Sequence, residues 1–132
     1  MEVIRDIADF PKLSFPVVTS GTFDGVHVGH QKILQRVKEG ARQAGGQSGV
    51  ITYWPHPRLV LFPEDNDLKL LSTIEERIEQ LRSFGIDYLL IIPFTKAFSR
   101  LSSRTFIEDV LVKAIHTKVL VIGYDHSFGK NR

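Results

Sequence analysis

Four short apolar runs, separated by segments of a different pattern, constrain the fold of this chain most strongly. They occupy residues 16–20, 49–54, 88–92 and 118–122 and are rich in apolar and β-branched side chains. Runs of this length and composition predict buried strands. The run 88–92 is almost wholly apolar, as expected of a central parallel strand that is covered on both faces.

Between the runs, apolar residues recur at the spacing of amphipathic helices. The residues predicted to face inward are Ile33, Leu34, Val37, Ala41 and Ala44 in the first helix, Ile74, Ile78, Leu81 and Phe84 in the second, and Phe106, Ile107, Val110, Leu111 and Ile115 in the third. The boundary signals are Gly45 and Gly46 at the end of the first helix, Ser72 or Thr73 and Gly85 around the second, and Ser102 or Ser103 at the start of the third.

The order of these elements predicts an α/β fold, a Rossmann-like parallel sheet with helices on both faces. Residues 55–70, which include Pro55, Pro57 and Pro63, predict an irregular loop between the second strand and the second helix. Ligands of such sheets bind beyond the carboxyl ends of the strands. Two glycine-containing segments follow strands there, residues 21–30 and residues 123–132. We expect them to form the site.

Composition narrows the class of protein. The chain has no cysteine, which excludes a disulfide framework and a thiolate metal site. No apolar run approaches the roughly 18 residues of a membrane span, and the mixed charges of residues 1–6 do not form a signal peptide. We therefore expect a soluble, cytoplasmic protein with no membrane partner. The net charge of +2 is spread along the chain, which favours a small anionic ligand at least as well as nucleic acid, and we expect no nucleic-acid partner.

Residues 21–30 carry the chemistry. Gly21, Gly25 and Gly29 lie between a predicted strand and a predicted helix, where backbone can approach a phosphate and helix N–H groups can point at it. His27 and His30 are three residues apart, so both imidazoles project to one side of the helix start, where the helix dipole favours anions. This donor cluster suits polyphosphate, whose transfer depends on positioning and charge stabilisation rather than on a nucleophile.

A zinc site is the competing interpretation of the two histidines. Zinc requires three or four protein ligands, and the further candidates would be His56 and His126, since cysteine is absent. We expect no metal bound by these histidines. The segment also fits neither the Gly-x-Gly-x-x-Gly dinucleotide fingerprint nor the Lys-Ser/Thr ending of a P-loop.

Residues 21–31, Gly-Thr-Phe-Asp-Gly-Val-His-Val-Gly-His-Gln, resemble the first motif of the HxGH nucleotidyltransferase superfamily. Further segments resemble, in the same order, the FAD synthetase module of the bacterial bifunctional riboflavin kinase/FAD synthetases. They are residues 53–57 (Tyr-Trp-Pro-His-Pro, with Tyr53 where the module usually has Phe), residues 71–73 with Glu76 and Arg77, the context of Phe106, and residues 123–129 (Gly-Tyr-Asp-His-Ser-Phe-Gly). The resemblance covers residues 17–132.

This resemblance implies the HUP/HxGH nucleotidyltransferase fold and an FMN adenylyltransferase, which converts ATP and FMN into FAD and diphosphate with Mg²⁺ accompanying ATP. It implies catalytic roles for His27 and His30. The implied ATP-binding residues are Gly21, Thr22, Phe23, Asp24, His27, Gly29, His30 and Gly123. The implied flavin-binding residues are Pro55, His56, Pro57, Phe62, Asp125 and Phe128, with His126 replacing an apolar residue of the family. Two roles are open for Asp24, orienting a histidine or stabilising the turn, and we favour the structural one.

The resemblance also bears on domain organisation. We expect residues 1–132 to be an FAD synthetase domain truncated at its C-terminal end, with a riboflavin kinase domain downstream. Residues 101–104, Leu-Ser-Ser-Arg, look like the superfamily's second phosphate motif but precede a helix, and we interpret them as a helix cap. Two alternatives stay open at this point. One is an HxGH adenylyl- or cytidylyltransferase for another phosphate substrate, and the other is a non-catalytic nucleotide-binding module.

Overall fold

The computed structural model describes residues 1–23, 28–62 and 73–122, with backbone alone at residues 28, 29 and 58. The strands in these ranges are β1 (Glu2–Ile4), β2 (Pro16–Ser20), β3 (Gln47–Trp54), β4 (Tyr88–Pro93) and β5 (Val119–Leu120). The helices are α1 (Val28–Ala44), α2 (Pro57–Leu61), α3 (Ile74–Phe84), α4 (Lys96–Ser99) and α5 (Ser103–Phe106), which continues as a π-helical segment, Ile107–Ala114.

The five strands form one parallel sheet in the order β1-β4-β3-β2-β5. Side chains of a strand alternate between the two faces of a sheet. Val50 and Leu89 accordingly belong to a core cluster with side chains of α1 and α3, whereas Ile51 and Leu90 belong to another with side chains of α5 and its continuation. The sheet is therefore buried on both faces, and the predicted α/β fold is confirmed.

Local signals set the helix boundaries as predicted. The Thr73 hydroxyl accepts the Glu76 N–H at 3.1 Å while the Glu76 carboxylate accepts the Thr73 N–H at 3.0 Å, a complete capping box at the start of α3. Gly85 ends this helix with φ at +90°, and Gly45 follows α1 with φ at +64°. Glycine adopts these left-handed angles without the steric cost that a Cβ imposes.

The third predicted helix buries four of its five predicted inward residues, but its turns are wider than those of an α-helix. The Ile115 N–H bonds to the Val110 carbonyl five residues back, which is the π-helical pattern. Side chains four or five residues apart then share the buried face, as Phe106, Val110, Leu111 and Ile115 do. The prediction that Ile107 faces inward was wrong, because the wider turns leave it 38% exposed.

Two further predictions of burial were wrong. Ala44 is exposed, because the core between α1 and β2 ends with Ala41, which packs on Val17, and Ala44 is the last residue of the helix. The predicted fourth strand, residues 118–122, is reduced to the two residues of β5 at the end of the strand order. Within the part of the chain that the structure describes it pairs with β2 alone, and Val119 is 41% exposed.

Short elements were absent from the prediction. Strand β1 has three residues, too few to show a periodicity, yet it pairs in parallel with β4. Residues 55–70 were predicted to be an irregular loop, but their described part contains α2, which begins at Pro57. Proline suits the first position of a helix, because no partner exists there for the missing N–H. Residues 63–72 lie outside the described residues.

Candidate functional site

The site predicted from the sequence lies where the strand order reverses direction. The chain passes from β2 to the adjacent β3 and on to β4, but β5 pairs on the other side of β2. A crevice at the carboxyl end of β2 is therefore the expected ligand position in a sheet of this topology. The ladder between β2 and β3 extends one residue beyond β2, because the Gly21 N–H donates to the Ile51 carbonyl at 3.0 Å.

Phe23 fixes the first described part of the loop after β2. Its φ of +51° is left-handed, which is uncommon for a residue with a bulky side chain, and its side chain is only 2% exposed. The Phe23 ring lies 4.9 Å from the His30 ring, centroid to centroid. His30 is the third residue of α1, so this contact holds its imidazole beside the loop at the positive end of the helix dipole.

A buried polar chain joins α3, β3 and this loop. The Arg77 guanidinium donates from Nη1 to Thr52 Oγ1 and to the Tyr53 carbonyl, both at 3.1 Å. Thr52 Oγ1 in turn donates to the Thr22 carbonyl at 2.9 Å. Neither Arg77 nor Thr52 has measurable exposure to solvent. The guanidinium carbon also lies 5.7 Å from the centre of the Trp54 ring, within the range of a cation–π interaction.

A second hydrogen bond joins the ends of β2 and β3. The hydroxyls of Ser20 and Tyr53 are 2.6 Å apart. Burial raises the pKa of Tyr53 to about 12, an effect that the hydrogen bond to Ser20 partly offsets. Tyr53 also borders a cluster of aromatic rings, since the Phe98 ring lies 5.7 Å from it and the Phe94 ring 6.2 Å. The Phe98 ring in turn lies 6.1 Å from that of Phe106.

The residues with implied flavin contacts follow β3 directly. The peptide bond between Trp54 and Pro55 is cis, and the Phe94 N–H donates to the Trp54 carbonyl at 3.0 Å, which anchors this end of β3 to the chain after β4. His56 precedes α2, and its carbonyl accepts the Leu59 N–H at 2.9 Å. Phe62 lies just beyond α2 and is 60% exposed.

The structure thus brings two groups of predicted site residues to the carboxyl ends of adjacent strands. Gly21, Thr22 and Phe23 follow β2, with Gly29 and His30 at the start of α1, and Pro55, His56 and Pro57 follow β3. Asp24, His27, Gly123, Asp125 and Phe128 lie outside the described residues, as do Gly25 and His126.

Sequence reasoning assigned no role to Arg77, Thr52 or the Ser20–Tyr53 pair. A signal for Arg77 was present, because it occupies an inward position of the α3 stripe that includes Ile74, Ile78 and Leu81. A charged residue at such a position requires buried partners. Those partners, Thr52 and Tyr53, lie 25 and 24 residues earlier in the chain, and no local pattern indicates them.

Metal and membrane features are absent from the described ranges. No group of three or more His, Cys, Asp or Glu side chains is arranged to hold a metal ion in residues 1–23, 28–62 and 73–122. In the same ranges no helix combines the length and apolar character that crossing a bilayer requires.

Comparison with known proteins places this geometry in context. The FAD synthetase family matches residues 11–132. A protein of Listeria monocytogenes called bifunctional riboflavin kinase/FMN adenylyltransferase is 40% identical over 114 residues, which cover 86% of this chain and 36% of that protein. Proteins with the same name are 36% identical in Buchnera aphidicola, over 100% of this chain and 42% of that protein, and 38% identical in Escherichia coli, over 88% and 37%.

A solved structure shares the fold. It is a Streptococcus pneumoniae chain described as a macrolide-efflux protein, with a TM-score of 0.84 and 29% sequence identity. The match covers 97% of the present chain and 43% of that one. The present chain thus spans less than half of the length of these relatives.

Proposed function

The chain belongs to the FAD synthetase family, and we propose that it transfers the adenylyl group of ATP to the phosphate of FMN, forming FAD and diphosphate. One observation carries the proposal beyond family membership. The loop with implied ATP contacts and the segment with implied flavin contacts follow adjacent parallel strands, and the hydrogen bonds Tyr53–Ser20 and Thr52–Thr22 join them. Two substrates that must react with each other need two such neighbouring subsites.

On the ATP side, the proposed contacts are backbone N–H groups and imidazoles. The backbone of Thr22 and Phe23 holds the α-phosphate, and His30, with His27, contacts the phosphate oxygens. The position of His30 at the start of the 17-residue α1 supports this role, because orphan N–H groups and the helix dipole favour an anion there. The buried contact between Phe23 and His30 keeps the loop and the imidazole in one arrangement.

The proposed chemistry is a single displacement. A phosphate oxygen of FMN forms a bond to the α-phosphorus of ATP, and the bond from that phosphorus to the bridging oxygen of the β-phosphate breaks. Diphosphate leaves with the electron pair. The protein contributes alignment of the two substrates and stabilisation of the developing negative charge, and it forms no covalent intermediate.

On the flavin side, the proposed contacts are Pro55, His56, Pro57 and Phe62, together with Asp125 and Phe128. The exposed ring of Phe62 and the proline-rich turn at the end of β3 support an apolar subsite, since flavin needs an apolar surface with a few polar anchors.

The proposal also includes a metal ion and a second domain. Mg²⁺ accompanies ATP, held largely by phosphate oxygens, because hydroxyl, imidazole and guanidinium groups surround the described site and Mg²⁺ prefers oxygen ligands that carry charge. The relatives are named as bifunctional, and we propose that residues 1–132 are the adenylyltransferase part of a protein that also carries riboflavin kinase, in the cytoplasm.

The direct test is formation of FAD by the purified protein from ATP, FMN and MgCl₂, followed by chromatography with flavin detection. Parallel reactions replace FMN by nicotinamide mononucleotide or by phosphopantetheine. We expect FAD from FMN and no adenylylated product from the other two acceptors. Absence of FAD, or preference for another acceptor, would overturn the proposal.

Variants of two histidines, one inside and one outside the proposed site, test the role of His30. We expect His30→Ala to lower kcat/KM about 100-fold, the scale seen when a donor to a developing charge is removed. His116→Asn alters an exposed histidine with φ at +59°, an angle that Asn tolerates, and should leave the rate unchanged. An unchanged rate in His30→Ala would remove the catalytic role of His30, whereas ATP binding with no FAD formed by the wild type would favour a non-catalytic nucleotide-binding module.

A further inference from the structure

Arg77 is a charged side chain in the hydrophobic interior. It lies on the apolar stripe of α3 with no exposure to solvent. Replacing a buried ionic group by an apolar one of similar volume is often neutral or stabilising, so stability alone is a weak reason for an arginine here. One of its hydrogen bonds connects, through Thr52, to the Thr22 carbonyl in the loop after β2.

We propose that Arg77 and Thr52 are a pair of positioning residues that aim the Phe23 N–H at the α-phosphate of ATP. This inference rests on the proposed adenylyl transfer and adds to it a control of the phosphate loop from α3 and β3. Neither side chain is assigned a contact with substrate. Both act through the Thr22 carbonyl.

The direction of the Thr52 hydroxyl follows from the chemistry of its partners. A guanidinium has donors and no acceptor, so Thr52 Oγ1 must accept the hydrogen bond from Arg77 Nη1 at 3.1 Å. The single hydroxyl hydrogen is then available for the Thr22 carbonyl at 2.9 Å. Because the first bond comes from a cation in a low-dielectric interior, it polarises the hydroxyl and strengthens the second.

The Thr22 carbonyl sets the direction of the next N–H group. The peptide between Thr22 and Phe23 is trans, and a trans peptide points its C=O and its N–H in opposite directions. Thr52 holds the Thr22 carbonyl towards β3, so the Phe23 N–H points away from β3. The left-handed φ of Phe23 is of the kind that gathers successive N–H groups into an anion-binding concavity.

Steady-state kinetics of FAD formation by the whole chain test this pair. Thr52→Val and Arg77→Met each remove one member of the hydrogen-bonded chain, and we expect each to lower kcat/KM for ATP by about 10- to 100-fold, the effect of a small displacement at a reacting centre. The KM for FMN should change less than about twofold. Thr52→Ser keeps the hydroxyl and should restore most of the rate. The double variant should be no worse than the poorer single one, because both act through one carbonyl.

Stability measurements separate positioning from folding. Thr19→Val is the matched control, because Thr19 is also buried, in neighbouring β2, and its hydroxyl has no hydrogen-bond partner in the ranges described. It should retain the wild-type rate. If Arg77→Met fails to fold, the comparison of Thr52→Val with Thr52→Ser still tests whether the rate depends on the Thr52 hydroxyl.

Three outcomes would overturn the inference while leaving the proposed reaction intact. They are a wild-type kcat/KM for ATP in Thr52→Val, equal losses in Thr52→Val and Thr52→Ser that track a fall in unfolding temperature, and losses that multiply in the double variant. Failure of the wild-type chain to form FAD would instead overturn the proposed function itself.

Discussion

The hydroxyl groups of Tyr53 and Ser20 lie 2.6 Å apart and form a hydrogen bond between the carboxyl ends of β3 and β2. Ser20 immediately precedes the glycine loop, and Tyr53 immediately precedes Trp54 and the cis peptide. A phenylalanine at position 53 has no hydroxyl and could not make this bond.

Removing the Tyr53 hydroxyl should destabilise the protein. In Tyr53→Phe the Ser20 hydroxyl, which is 3% exposed, loses this partner, and we expect a loss of about 1–2 kcal/mol in the free energy of unfolding. Urea denaturation measures it. The double variant Tyr53→Phe with Ser20→Ala removes both polar groups and should recover most of the loss. A single variant as stable as the wild type would contradict the expectation.

Alkaline pH should weaken the protein through the same residue. Burial raises the pKa of Tyr53 to about 12 in the folded state, against 10.0 for an ordinary tyrosine. The folded state thus binds the phenolic proton more tightly, and the resulting stabilisation is complete below pH 10 and is lost as the pH rises through 12. Between pH 10 and pH 12 we expect the stability difference between the wild type and Tyr53→Phe to change by about 2 kcal/mol. Parallel stability curves for the two proteins would argue against it.

Thr19→Val should stabilise the fold. The Thr19 hydroxyl is buried and has no hydrogen-bond partner in the part of the chain that the structure describes, so it carries a desolvation cost without compensation. Valine has nearly the same shape, and we expect a gain of about 1 kcal/mol in the free energy of unfolding. Thermal denaturation at neutral pH checks the sign. A decrease in stability would mean that the hydroxyl is satisfied.

The glycine pair after α1 should separate two kinds of steric cost. A Cβ at Gly46 would overlap the Phe15 carbonyl oxygen, which is held by the Gln47 N–H at 3.0 Å. At Gly45 a Cβ would meet nothing within 4 Å, but φ is +64°. We expect Gly46→Ala to cost about 2–3 kcal/mol and Gly45→Ala about 1 kcal/mol, both measured by urea denaturation. Equal costs would contradict this assignment.

The sequence predicted the elements that carry long local patterns. Helix α1 and helix α3 show an apolar stripe and boundary glycines, and their limits lie within a residue or two of the predicted ones at those ends. The short elements β1, α2 and α4 have three to five residues, which are too few for a periodic signal.

The candidate site also has a part that the sequence predicted and a part that it did not. The position of residues 21–23 and 55–57 beyond the ends of neighbouring strands follows from strand order and motif, and it was predictable. The roles of these residues stay predictions. The contacts Arg77–Thr52, Thr52–Thr22 and Tyr53–Ser20 join residues that are 25 to 33 positions apart. Such pairs come together only in the assembled sheet, and no local pattern in the sequence indicates them.

The position of the Arg77 guanidinium 5.7 Å from the centre of the Trp54 ring has a spectroscopic consequence. Trp54 is the sole tryptophan of the chain, so its indole is the one dominant intrinsic fluorophore. It lies at the end of β3, between the buried arginine and the proline-rich turn. Its emission therefore reports the local environment at the boundary of the two proposed subsites, without an added label.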